Sequence, residues 1–201
     1  MRIEGLSFAY ERSTVFSNVD VCLERPLDMI VGPSGSGKTT LLKILAGILP
    51  HQSTGMLQPQ RSRLLVLQED ALIPWLTGWA NLLEFLHPHG IRKAQIEAHP
   101  AFASIAAFVD QPAWQMSFGQ RRSIELLRAL MLQPELLCLD EPLNFIDPER
   151  RVLFARLILE HDGIQQVVIA THETSDFGAL AARPLRLDGR LPVHEIHRRP
   201  A

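Results

Sequence analysis

Apolar residues fall in short runs along the chain, and the period of each run predicts an element. Residues 2–10 and 15–23 read as two strands, with a turn over 11–14. Residues 27–31 form a short apolar run ending at Gly32, and a helix is expected from about 38 to 49, where Pro50 stops it. Residues 63–67 read as another apolar strand. From about 77 to 116 the pattern is helical, broken at Pro88, Pro100 and Pro112. Ser117 is a good N-cap for a helix running to about 132. Residues 136–139, Leu-Leu-Cys-Leu, are apolar throughout, as in a strand buried on both faces, and 167–170 repeat that pattern. Between them, Asp147-Pro148 sets an N-cap before a proline at the first helical position, so a helix is expected to about 161. Strands that alternate with helices predict an α/β fold with a mostly parallel sheet flanked by helices. The expected layout is one domain over 1–201: core segments 1–69 and 117–201, a small N-terminal antiparallel β part, and a helical subdomain inserted at about 70–116.

Composition narrows the class. Hydrophobic residues make up 46% and charged residues 21% of 201, as in soluble globular proteins. The formal net charge of -2 gives no polybasic signature, so no nucleic-acid partner is expected. Cys22 and Cys138 both sit in apolar stretches, which argues against a disulfide framework and suits a reducing cytosol. The start, Met-Arg-Ile-Glu-Gly, reads as a strand and not as a signal peptide. No stretch approaches the roughly 20 apolar residues of a spanning helix, so membrane involvement is expected to come through a partner.

The sharpest motif is Gly32-Pro33-Ser34-Gly35-Ser36-Gly37-Lys38-Thr39, which matches G-x-x-x-x-G-K-[ST] between an apolar strand and an amphipathic helix. Glycines at 32, 35 and 37 let the backbone curl until successive N–H groups point inward and form an anion site. The helix N-terminus adds partial positive charge. Lys38 is expected at the β- and γ-phosphates of ATP, Thr39 at Mg²⁺, and Thr40 continues the nucleotide-binding set into the helix. A P-loop NTPase core follows. The run 136–139 then ends in Asp140-Glu141. Ligands of open α/β sheets sit beyond the carboxyl ends of the strands. Asp140 is therefore expected to face Mg²⁺, and Glu141 to polarise the attacking water and accept its proton.

Met116-Ser117-Phe118-Gly119-Gln120 resembles the Leu-Ser-Gly-Gly-Gln signature of ABC ATPases, placed about 20 residues before the acidic pair as in that family. Other marks follow in order. Gln68 closes an apolar strand where the family has its Q-loop glutamine, and 143–147 occupy the place of the D-loop. His172, in Ala-Thr-His-Glu, stands where the family has its switch histidine, and Tyr10 where an aromatic stacks on adenine. Departures are Met116 and Phe118 in the signature, and Asn144 and Phe145 in the D-loop. The interval from Lys38 to Gln68 is short for the family, so a trimmed antiparallel part is expected, and no regulatory extension is expected after residue 201.

The resemblance implies an ATPase that drives solute transport from the cytoplasmic face of a membrane through transmembrane permease subunits. A solute-binding protein is a further partner if the transporter is an importer. It implies two copies, or a paired ATPase subunit, meeting head to tail around ATP. Ser117, Gly119 and Gln120 of one copy then reach the other's nucleotide, His172 contacts the γ-phosphate, and Gln68 senses Mg²⁺ or water. Residues 71–79, Ala-Leu-Ile-Pro-Trp-Leu-Thr-Gly-Trp, are unusually apolar and are a candidate docking groove for the membrane subunit. Their pattern, with the following Asn-Leu, is similar to nitrate-, sulfonate- and taurine-type importer ATPases. A soluble non-transport ABC ATPase and a heme-exporter-like ATPase stay open as alternatives.

Overall fold

The computed structural model describes residues 1–11, 13–23, 26–57, 62–161, 163–172, 175–177 and 185–187. The chain divides into two compact units. The first comprises Met1–Leu65, Glu135–Glu141 and Ile164–Ala201; the second comprises Val66–Pro134 and Pro142–Gly163.

The first unit carries two sheets. Strands β1 (Arg2–Tyr10), β2 (Ser13–Cys22) and β4 (Gly55–Leu57) form an antiparallel sheet in the order β2-β1-β4. Tyr10 already pairs with Ser13, so β2 starts two residues before the expected 15. Strands β3 (Leu27–Val31), β5 (Arg63–Val66), β6 (Leu136–Asp140), β7 (Gln166–Thr171) and β8 (Leu185–Arg186) form the second sheet, in the order β5-β6-β7-β3-β8. The pairs β6–β7, β7–β3 and β3–β8 are parallel. Every residue of β3, β6 and β7 is buried, which accounts for their largely apolar sequences.

Helix α1 (Lys38–Leu45) is shorter than the expected 38–49. Gly47 takes left-handed backbone at φ 76, and the N–H groups of Gly47 and Ile48 turn back onto the carbonyls of Ile44 and Lys43, at 2.9 Å each. A glycine C-cap thus ends the helix before Pro50 is reached. The buried aliphatics of α1 join Ile3, Leu6 and Val21 of the antiparallel sheet and Ile30, Leu136 and Val168 of the parallel sheet in one core. Each fully buried aliphatic side chain stabilises the fold by about 1.5–3 kcal/mol.

The second unit is helical: α2 (Gly78–Leu86), α3 (Lys93–Ala98), α4 (Phe118–Leu132) and α5 (Pro148–Leu159). Short 3₁₀ turns at His87–His89, Phe102–Ser104 and Ala113–Gln115 fill the proline-broken stretches. Thr77 caps α2 by accepting from the Ala80 N–H at 3.2 Å, and Asp147 caps α5 by accepting from Arg150 N–H at 3.2 Å. Helices α2 and α4 approach closely at Gly78, where an added β-carbon would stand 2.7 Å from Ile124 Cδ1. This unit takes in α4 and α5 as well as the 70–116 stretch. No helix among the described residues is long and apolar enough to cross a membrane.

Candidate functional site

The first unit gathers Tyr10, the 32–40 segment, Asp140, Glu141 and His172, at or just beyond strand ends. Gly32 follows β3 in a space too small for any side chain: a β-carbon there would lie 2.2 Å from the Leu187 carbonyl oxygen and 2.6 Å from Ser36 Oγ. Gly37 stands at φ 94, a conformation that a residue with a β-carbon resists, and immediately precedes α1. It brings no side-chain cap, and the first turn of α1 holds no acid. The N–H groups and positive end of that helix are therefore left for an external anion.

Two further observations point to the same kind of ligand. The Lys38 ammonium curls back to donate to the carbonyls of Gly32 (2.8 Å) and Pro33 (3.1 Å), which spans the loop with a cation. Ser36 Oγ is buried with no hydrogen-bond partner among the described residues. An unmet buried hydroxyl costs about 1–3 kcal/mol. A lysine ammonium, a buried hydroxyl with no partner among the described residues and an uncapped helix start together fit a phosphate chain. The hydroxyls of Tyr10 and Thr40 lie 3.4 Å apart, and Tyr10 rests edge-on against Phe8.

Strand β6 delivers the acids. Thr39 Oγ1 donates to Asp140 Oδ2 at 2.6 Å, so a hydroxyl and a carboxylate, both hard oxygen donors, already share one point. Glu141 takes left-handed backbone at φ 46, which costs a non-glycine residue on the order of 1–3 kcal/mol. Contacts from the end of β7 hold it. Its N–H donates to the Ala170 carbonyl at 2.8 Å. Its carboxylate accepts from Thr171 Oγ1 at 3.0 Å and from the His172 N–H at 3.1 Å, and His172 Nδ1 lies 2.8 Å from Oε1. The carboxylate is thereby fixed at the ends of two neighbouring strands. Thr171 was not among the residues the sequence singled out; its one signal is a hydroxyl directly before His172 at a strand end. Behind the acids, burial pushes the Cys138 thiol up to about 12.

Gln68, Ser117, Gly119 and Gln120 belong to the second unit. Gln68 is exposed after β5. Ser117 and Gln120 form a capping box: Ser117 Oγ accepts from the Gln120 N–H at 3.2 Å, and Gln120 Oε1 from the Ser117 N–H at 2.8 Å. Gly119 lies against the Phe145 main chain, where a β-carbon would stand 2.2 Å from the carbonyl oxygen. The two aromatic departures meet, with the Phe118 and Phe145 rings 5.0 Å apart, edge to face.

A family model described as "ABC transporter" matches residues 18–144. The chain belongs to the ABC transporter family. It is an ATPase of that family, with the α/β fold that the sequence predicts. This ABC ATPase is 35% identical over 200 residues to the aliphatic sulfonates import ATP-binding protein SsuB 3 of Nocardia farcinica, covering 95% of this chain and 78% of that one. It is 32% identical over 197 residues to the taurine import ATP-binding protein TauB of Pseudomonas entomophila, covering 90% and 76%. A solved ATP-binding subunit of an ABC transporter superposes with a TM-score of 0.81 at 18% identity, over 97% of this chain and 87% of that one. A dimeric ATP-binding cassette in a post-hydrolysis state with ADP and Pi superposes at 0.73 and 22% identity, over 98% and 96%.

The ABC ATPase also presents two tryptophans in its second unit, Trp75 at 75% exposure and Trp114 at 65%. The Trp114 N–H donates to the Pro74 carbonyl at 2.9 Å, which sets the two residues on adjoining backbone. Asn81, fully buried, shapes the loop that carries Trp75. Its Oδ1 accepts from the Ile73 N–H at 2.7 Å, and its Nδ2 donates to the carbonyls of Ile73, Leu76 and Thr77 at 3.1–3.2 Å. The sequence had singled out Trp75 but not Trp114, whose partner lies 40 residues away in the chain.

Proposed function

We propose that this ABC ATPase binds Mg²⁺–ATP at the 32–40 loop, hydrolyses it, and so drives a solute across a membrane through transmembrane partner subunits. The observation that carries this is the pairing of an uncapped helix start, preceded by a loop that the Lys38 ammonium spans, with two acids fixed at the end of β6. Lys38 and the loop N–H groups hold the phosphates. Tyr10 stacks on the adenine. Thr39 and Asp140 are the residues to hold Mg²⁺, which prefers hard oxygen donors and neutralises phosphate charge when bound. Glu141 orients the attacking water and takes its proton. His172 and Thr171 keep that carboxylate aimed, and His172 reaches the γ-phosphate.

Ser117, Gly119 and Gln120 of a second copy close over the same γ-phosphate, aided by the positive end of α4. Loss of that phosphate removes the cross-copy contact, which gives ATP a differential affinity for closed and open pairs. The import role in the names of the relatives supports an importer at the cytoplasmic face of a membrane, supplied by a solute-binding protein. The exposed Trp75 and Trp114 are the docking surface for the membrane subunit. Lys38→Ala tests the site. Titration with a fluorescent ATP analogue should show affinity or turnover reduced at least about a hundredfold, the scale of losing a strong charge-assisted contact; parental turnover in the variant contradicts the assignment.

A further inference from the structure

We infer that Arg122 is a positioning residue for the ATPase reaction: its guanidinium pins the chain on either side of the acting residues, at Leu67 before Gln68 and at Pro142 after Glu141. The inference rests on the roles given above to Gln68 and Glu141. Arg122 sits on α4, with 1% of its side chain exposed. Its Nε donates to the Pro142 carbonyl at 3.2 Å, and one terminal nitrogen donates to the Leu67 carbonyl and, at 3.2 Å, to Glu125 Oε2. Glu125, 2% exposed, accepts from the Ala71 N–H through its other oxygen. The neighbouring Arg121 pairs with Asp70. The 67–71 segment is thus tied to α4 at Leu67, Asp70 and Ala71.

Stability does not explain a buried ion pair at this place. Removing two charges from water costs about as much as their attraction returns, and apolar residues of similar size are often as good or better. What an apolar pair cannot do is donate to two main-chain carbonyls that come from distant parts of the sequence. The planar guanidinium offers five N–H donors in fixed directions, so it sets an angle as well as a distance between those carbonyls. Glu125 holds the fork in its plane. The same helix is capped by Ser117, so a shift of α4 carries the Leu67 and Pro142 carbonyls with it.

The test compares steady-state ATPase of the full chain, assayed with its transmembrane partners, in three variants. Arg122→Met/Glu125→Leu removes the fork and keeps the volume. Its melting midpoint should stay within a few degrees of the parent or rise, while kcat falls about ten- to a hundredfold and KM for ATP changes less than about threefold, as for a misplaced reacting group. Arg122→Lys, which keeps charge without the fork, should recover only part of kcat. A folded double variant with parental kcat overturns the inference. If the double variant does not fold, parental kcat in Arg122→Lys overturns it instead. Glu141→Gln in the same assay separates the two levels. If it retains turnover, the assignment of the site fails; if it loses turnover while folded Arg122 variants do not, only the positioning role fails.

Discussion

At the residue scale, Glu141 is the most constrained acid of the candidate site. Its backbone is left-handed, and its carboxylate is claimed by Thr171 and His172. Glu125 is the second informative acid. Desolvation by burial raises its pKa above the ordinary 4.5, as does Asp70, against the Ala71 N–H and the charge and hydrogen bond of Arg122, which lower it. As pH rises from 4.5, the unfolded chain releases this proton first, so the folded state binds more protons and stability falls. The stability of the parent relative to Glu125→Gln, measured by urea unfolding, should therefore decline as pH rises above 4.5 and then level off. A flat difference contradicts the buried, costly carboxylate. The placement of Lys38 and Thr39 at the start of α1, and of Asp140 at the end of β6, was legible in the sequence because it depends on residue type at fixed local spacing. Arg122 was not, because its acceptors are main-chain carbonyls 55 and 20 positions away.

At the scale of elements, the long periodic stretches and the buried strands were legible, and their ends followed local chemistry. Gly47 closed α1 before Pro50, and Tyr10–Ser13 pairing brought the start of β2 forward. The two- and three-residue strands β8 and β4 carry too few positions for a period and were not expected. The 73–77 loop owes its form to buried Asn81, a polar residue whose position in an apolar helix gave no sign of four main-chain bonds. Trp75→Ala and Trp114→Ala truncate exposed side chains, so each should change stability by less than about 0.5 kcal/mol. Basal ATPase should stay within about twofold of the parent, while recovery of the membrane partner in co-purification falls. Undiminished recovery in the double variant contradicts the docking surface.

At the scale of the whole molecule, the chain folds as two compact units whose segments interleave along the sequence. The helical unit holds α4 and α5 as well as α2, with α4 packed against α2 and α5 against α4. Such packing is set by which apolar faces meet, and a pattern read along one chain does not contain that information. Gln68 and the signature residues fall in one unit, and the phosphate loop with Glu141 in the other. The most direct measurement is sedimentation equilibrium of the purified Glu141→Gln variant with ATP and Mg²⁺. A nucleotide-dependent species of twice the mass of the chain, reverting to single mass with ADP, is expected. A chain that holds ATP yet stays at single mass at every concentration contradicts closure by a second copy.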